Sequence, residues 1–329
     1  MVGLFKQKTP VNILVLFVAG ILIKLPMFIH PVSLGVNEAD TFIYRQFLRF
    51  LEERTSPGFL AGLAYFLLFI QAMLLNRFFN DYRMIAKSNY LPAMSYLLIS
   101  SLLPEWNRFS APLLLNTFTL VMFYALFRMY NQQRIRGLVF NIGLSLGLAS
   151  FAYAPSLFLI IWVLPGLLVM KPVKINEWII CILGLLTPYY LYASYLFIEG
   201  DWGWDKVLPA FSFHLPGLKQ SFWLAGATFL LIIPFLAGGY FVQVNLRRML
   251  IQVRKNWSLI LIYMLVSMVI PFFTRNADFT SWITIVIPFS AFHACAYYYP
   301  EKRWFPLILF WATVAYVLVF QYYEKGWIT

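Results

Sequence analysis

Gly58-Phe59-Leu60-Ala61-Gly62-Leu63-Ala64-Tyr65-Phe66-Leu67-Leu68-Phe69-Ile70-Gln71-Ala72-Met73-Leu74-Leu75-Asn76 carries no charged residue, and it lies between Arg54 and Arg77. A helix needs about 20 such residues to cross the ~30 Å hydrocarbon core of a bilayer. Period-two alternation is absent, which argues against a strand of an outer-membrane barrel. Runs of the same kind recur along the chain, roughly at 11–30, 91–104, 111–128, 138–153, 155–170, 177–197, 220–243, 257–273, 279–298 and 304–322. With 58–76 they make about eleven spans. The runs at 91–104, 138–153 and 155–170 are short, as expected of tilted, re-entrant or shielded segments.

The composition agrees. Hydrophobic residues make up 61% of the 329 positions and charged residues 12%, against about 25% charged in a soluble domain. The expected fold is all-α, a polytopic transmembrane bundle forming a single domain over 1–329. It has a cytoplasmic N-terminus at 1–10, longer outer loops at 31–57 and 198–219, and no soluble domain. Lys6 and Lys8 precede the first run, but no small-residue cleavage site follows it, so it reads as a retained span. Cys181 and Cys295 lie inside apolar runs at no metal-binding spacing.

The net charge of +12 is a topology signal, not a nucleic-acid footprint. With the N-terminus in the cytoplasm, 16 basic residues fall inside and 8 outside, while 3 acids fall inside and 10 outside. Basic residues concentrate on the cytoplasmic side of membrane proteins. Such loops also attract anionic lipid headgroups, so membrane lipids are expected partners.

The first outer loop holds Asn37-Glu38-Ala39-Asp40-Thr41-Phe42-Ile43-Tyr44-Arg45-Gln46-Phe47-Leu48-Arg49-Phe50-Leu51-Glu52-Glu53-Arg54, closed by the breaker Ser56-Pro57-Gly58. Ile43, Phe47, Phe50 and Leu51 fall at helical spacing, which predicts an amphipathic helix lying in the interface. Asn37 reads as its N-cap, with Glu38 and Asp40 in the first turn. Two readings of those acids stand side by side. They can serve as a helix cap, or hold a divalent metal and act as a general base at the membrane surface.

This loop resembles that of the GT-C superfamily of membrane glycosyltransferases, which use polyprenyl-phosphate sugars. Those enzymes place an essential acid here, often in an Asp-Glu pair before an aromatic residue and a juxtamembrane helix. In this chain Ala39 splits the pair, and Phe42 and Tyr44 follow. A second stretch, Phe140-Asn141-Ile142-Gly143-Leu144-Ser145-Leu146-Gly147-Leu148-Ala149 leading to Tyr153-Ala154-Pro155 and on to Lys171-Pro172, is also similar to that superfamily. Gly143 and Gly147 equally make a generic helix-packing face. The likeness covers about the first 200 residues. It implies transfer of a sugar from a polyprenyl-phosphate carrier at the extracytoplasmic side of a bacterial inner membrane. Glu38 and Asp40 would then be catalytic and metal-binding, with Mg or Mn as the ion. The overall pattern also looks like a family of polytopic proteins of the Bacteroidota, a likeness that supplies no activity.

Other polar residues have paired readings. Arg275 and Arg108 suit a carrier phosphate, or form surface pairs with Asp278 and Glu105. Trp202 and Trp204 stack on a sugar, or belong to the interfacial aromatic belt. His214 and Lys219 reach a phosphate, or merely sit in a surface loop. Lys24, well inside a span, snorkels outward, pairs internally or meets substrate. His30 and His293 fall in no metal motif and read as hydrogen-bonded core residues. No Walker, Rossmann or nucleophile-elbow sequence is present. The spans show few charges and no matched pair of broken helices, which disfavours a transporter. The alternative to an enzyme is a non-catalytic membrane subunit or assembly factor of an envelope or secretion complex.

Overall fold

A computed structural model of the chain describes residues 2–31, 40–130, 132–172, 175–208, 213, 222–274 and 279–324. The described residues are almost wholly helical. In order they form α1 (Val2–Phe5), α2 (Pro10–Ile23), α3 (Leu25–Ile29), α4 (Phe42–Arg54), α5 (Pro57–Asp81), α6 (Leu91–Ile99) and α7 (Ala111–Arg128). There follow α8 (Arg136–Ala152), α9 (Ile160–Met170), α10 (Ile175–Ile198), α11 (Trp204–Val207), α12 (Phe222–Asn245), α13 (Ile251–Val269), α14 (Val286–Tyr298) and α15 (Trp304–Glu324). Six helical stretches are long and apolar enough to cross a membrane: 57–81, 111–128, 175–198, 222–248, 251–273 and 279–298. Shorter apolar helices cover 10–23, 136–152, 154–170 and 304–320.

Burial sorts the helices. α6 is buried at all nine positions and α14 at twelve of thirteen, so both lie in the interior. Outside them α10 and α12 expose Leu183, Tyr190, Phe197, Phe229, Leu236 and Tyr240. An apolar exterior of this kind suits lipid, not water.

Glycines set the closest approaches. A Cβ on Gly143 would meet the Cys181 carbonyl, one on Gly147 the Leu185 carbonyl and one on Gly184 the Phe140 carbonyl. α8 and α10 therefore touch backbone to backbone, which is the packing reading of the Gly143/Gly147 pair. Gly238 of α12 lies in the same way against the Phe292 carbonyl of α14. Beside it His293 Nε2 bonds the Leu231 carbonyl at 2.9 Å, so this histidine is a partnered core residue.

The loops gather at two ends. At a basic end the Tyr90 amide donates to the Phe5 carbonyl, 2.7 Å, Lys6 Nζ to the Tyr298 carbonyl, 3.2 Å, and Lys171 Nζ to the Gln132 carbonyl, 2.9 Å. Lys255 sits 5.3 Å from the Tyr130 ring centre. At the other end Thr41 Oγ1 donates to the Phe151 carbonyl, and Trp106 Nε1 donates to the Phe279 carbonyl at 2.9 Å. Four 3₁₀ turns, Pro104–Asn107, Ala154–Leu159, Ile270–Phe273 and Phe279–Ile285, also meet there. Irregular backbone at the edge of a bilayer is tolerated where protein buries it. Among the described residues, the contacts just named join segments that the charge pattern assigns to the same side.

Candidate functional site

Asp40, at the described end of the first long loop, lies against the α8–α9 junction. Asp40 is extended and pairs as an antiparallel bridge with Tyr153. The two stretches singled out in the sequence, 37–54 and 140–155, are thereby joined.

The helix start differs from the expected one. α4 begins at Phe42, and its N-cap is Thr41, whose Oγ1 accepts from the Tyr44 amide at 3.3 Å. Asp40 therefore precedes the helix and is no first-turn residue. Asn37, Asp40 and Thr41 are all good cap residues by type. Thr41 takes the role while also tying the loop to Phe151. The buried face of α4 is Tyr44 and Leu48 with Leu51 packed beside them, and Phe42, Phe47 and Phe50 project outward. The helix has one face on the bundle and an aromatic face for the interface, a different division from the expected 43-47-50-51 stripe.

Asp40 is 4% exposed and Tyr44 3%. Burial, with the Asp40 carboxylate beside it, pushes the Tyr44 phenol up from its ordinary value. The Tyr44 hydroxyl stays protonated, is buried and meets no hydrogen-bond partner among the described residues. Glu38, Arg275 and His214, with Lys219 and Asp278, lie outside the described residues. No group of three or more His, Cys, Asp or Glu side chains comes together among the described residues. Mg²⁺ prefers about six oxygen ligands, so the described residues supply no complete cation site.

Arg108 is exposed just after the Pro104–Asn107 turn. Its amide donates to the Glu105 carbonyl at 3.4 Å, but the two side chains form no ion pair. Trp202 and Trp204 are 44% and 64% exposed, with ring centres 5.2 Å apart and planes at 74°. Lys206 bonds Asp201 in the same loop. This edge-to-face pair presents separate faces and no single flat platform.

Lys24 does not snorkel. It is fully buried at the break between α2 and α3, and Nζ donates to Ser100 Oγ at 3.1 Å and Asn107 Oδ1 at 2.5 Å. Pro26 lacks an amide to continue the ladder, and Ser100 is the C-cap of α6. A cation is favoured at a helix C-terminus. The run expected at 11–30 is therefore two helices, α2 and α3, with Lys24 between them.

A polar network inside the bundle is a further feature that the sequence did not reveal. Gln71 Nε2 donates to the Leu113 carbonyl and Thr117 Oγ1, both at 2.7 Å, and Tyr96 donates to Gln71 Oε1 at 2.6 Å. Asn116 Nδ2 reaches Tyr96 at 3.3 Å and the Ile283 carbonyl at 3.0 Å. Its side chains come from three helices, Gln71 on α5, Tyr96 on α6, and Asn116 and Thr117 on α7, so no local motif marks them. The network ties the 3₁₀ turn before α14 to three other helices.

The fold defines an all-α chain whose long apolar helices suit a membrane. Residues 42–328 match the model of a family of unknown function, DUF6427, and the chain belongs to that family. No curated protein and no solved structure matches it.

Proposed function

We propose that the chain spans the bacterial inner membrane about eleven times with its basic end in the cytoplasm, and that it is a GT-C-like glycosyltransferase. It moves a sugar from a polyprenyl-phosphate carrier to an acceptor at the extracytoplasmic side. The observation that carries this reading is the buried Asp40 carboxylate with the Tyr44 phenol beside it, a phenol whose hydroxyl has no hydrogen-bond partner among the described residues. A buried polar group left unpaired asks for a ligand. In this reading Asp40 takes the proton from an acceptor hydroxyl as its oxygen attacks the anomeric carbon. The bond from that carbon to the phosphate oxygen breaks, and the carrier leaves as polyprenyl phosphate. Arg108 and Arg275 serve the phosphate, His214 assists them, and Trp202 and Trp204 serve the sugar.

The test is transfer of labelled sugar from a polyprenyl-phosphate donor by the full chain in nanodiscs. Glu38→Ala/Asp40→Ala and the milder Asp40→Asn should each abolish it while the protein stays folded. Transfer retained by the double variant overturns the assignment.

One observation favours the second reading, a non-catalytic subunit or assembly factor of an envelope complex. Asp40 is fixed on both sides, by the Tyr153 bridge and by the Thr41–Phe151 bond, which leaves a base little freedom. Under that reading the same variants leave a copurifying complex intact.

A further inference from the structure

A cavity of about 280 Å³ opens at the basic end, where the turn after α5, the α12–α13 turn and the end of α14 converge. Its polar lining is Arg83, Arg248, Asn245 and Tyr299, and Met84 and Val253 are among its apolar walls. The volume is near the lower limit of small-ligand sites, roughly 300–1,000 Å³. Three acids belong to this side of the molecule by the charge pattern, Asp81, Glu177 and Glu301, and none lines the cavity. Asp81 is already paired with Arg77 at 3.4 Å. Among the described residues neither Arg83 nor Arg248 has an ion pair.

Arg83 stands where its residue type is disfavoured. α5 ends with the Arg83 amide donating to the Asn80 carbonyl, 3.3 Å, and the Met84 amide to the Phe79 carbonyl, 3.0 Å. This is the Schellman arrangement, whose left-handed position normally takes glycine. Here Arg83 has φ +50°, the one positive φ at a non-glycine among the described residues. A side chain there costs stability that glycine would not. Strain of this kind collects at functional sites. Across the cavity α13 starts at Ile251 with Leu250 as its N-cap, which has no side-chain acceptor, and no acid stands in the first turn. Leu250 and Val253 line the cavity, so the positive end of that helix adds to the field of the two arginines. Asn245 Nδ2 donates to the Phe241 carbonyl at 2.8 Å, which leaves its Oδ1 to accept from a hydroxyl.

We propose that this cavity binds the phosphate ester of a small polyol, with Arg83 and Arg248 clamping the phosphate and Asn245 accepting from a polyol hydroxyl. Paired guanidinium groups suit phosphate oxygens, and the apolar walls cover the carbon skeleton. The same chemistry is offered by a phosphatidylglycerol headgroup from the adjoining leaflet and by soluble glycerol 3-phosphate. The site lies at the opposite end from Asp40 and does not depend on the glycosyltransferase reading.

The experiment uses the full chain in phosphatidylcholine nanodiscs. One arm titrates glycerol 3-phosphate by calorimetry. The other adds phosphatidylglycerol and counts lipid retained on the released protein by native mass spectrometry. Binding in the first arm identifies a soluble ligand and retention in the second a lipid. Arg83→Gly and Arg248→Gln should each weaken whichever binding occurs roughly ten-fold or more. Arg247→Gln, a change of the same charge one residue away and off the cavity, should leave it nearly unchanged. Arg83→Gly should also match or exceed the wild type in thermal stability without ligand, because glycine relieves the left-handed strain. No binding in either arm overturns the proposal, as does an Arg247→Gln loss as large as that of Arg248→Gln. A fall in ligand-free stability of Arg83→Gly overturns it too, by making Arg83 a structural residue.

Discussion

Lys24 sends its amino group to two neutral oxygens, those of Ser100 and Asn107. With no carboxylate bonded to it, each neutral partner matters. Asn107→Ala should cost roughly 2 kcal/mol, the range for stripping a partner from a buried polar group. In a Lys24→Met background the same change should cost under about 1 kcal/mol, because the amino group it served is gone. Denaturant titration of the four proteins in detergent measures both, and equal costs would show that the pair is not coupled. At Tyr44 the sign is opposite. Removing a buried hydroxyl with no partner among the described residues should leave Tyr44→Phe as stable as wild type or slightly more so. A loss above about 1 kcal/mol would mean the hydroxyl is bonded after all. The sequence flagged Lys24 as a charge inside a span, and Asp40 as an acid in a telling place. It did not reveal their surroundings. Ser100 and Asn107 are 76 and 83 residues from Lys24, and no local pattern links them. Arg83 was hidden for another reason, since left-handed backbone is read from glycine and here glycine is absent.

At the scale of helices, hydropathy was enough to place the elements. The runs at 111–128 and 279–298 coincide with helical stretches of the same bounds, because apolar length is what the bilayer selects. Starts and breaks were less legible. Three cap-type residues within five positions, Asn37, Asp40 and Thr41, left the beginning of α4 ambiguous, and Lys24-Leu25-Pro26 concealed a break because hydropathy is blind to missing amides. The Gly143/Gly147 spacing was legible as a packing face, but its partner Gly184 was not. That seam predicts a strong contrast. Gly184→Val pushes a side chain into the Phe140 carbonyl, so α8 and α10 must part at a cost of roughly 1–3 kcal/mol. Gly62→Ala in α5 meets nothing within 4 Å and should be neutral or gain up to about 1 kcal/mol. A seam variant as stable as the Gly62 variant would mean the two helices do not meet so closely.

At the scale of the molecule, the charge asymmetry was the most informative feature of the sequence, since it needs no local motif. It predicts which residues meet which aqueous phase. Cys181 and Cys295 are both buried, so they should stay silent towards a membrane-impermeant maleimide, and single introduced cysteines can be read against them. Glu53→Cys should label in spheroplasts and Lys87→Cys only after lysis. The reverse pattern would invert the orientation. The contact between Lys6 and the Tyr298 carbonyl has a bearing on how the protein is made. α1 and α2 also touch α15, and Phe5, Leu16 and Gly20 share a wall with Phe310, Trp311 and Val314. α1 and α2 are thus covered by α15, a helix made much later, after closure of a very long loop. Until then one flank of α2 has no protein neighbour. A message cut short before residue 304 would leave that flank bare, giving the cell's quality-control proteases a mark of unfinished synthesis far along the polypeptide from the damage.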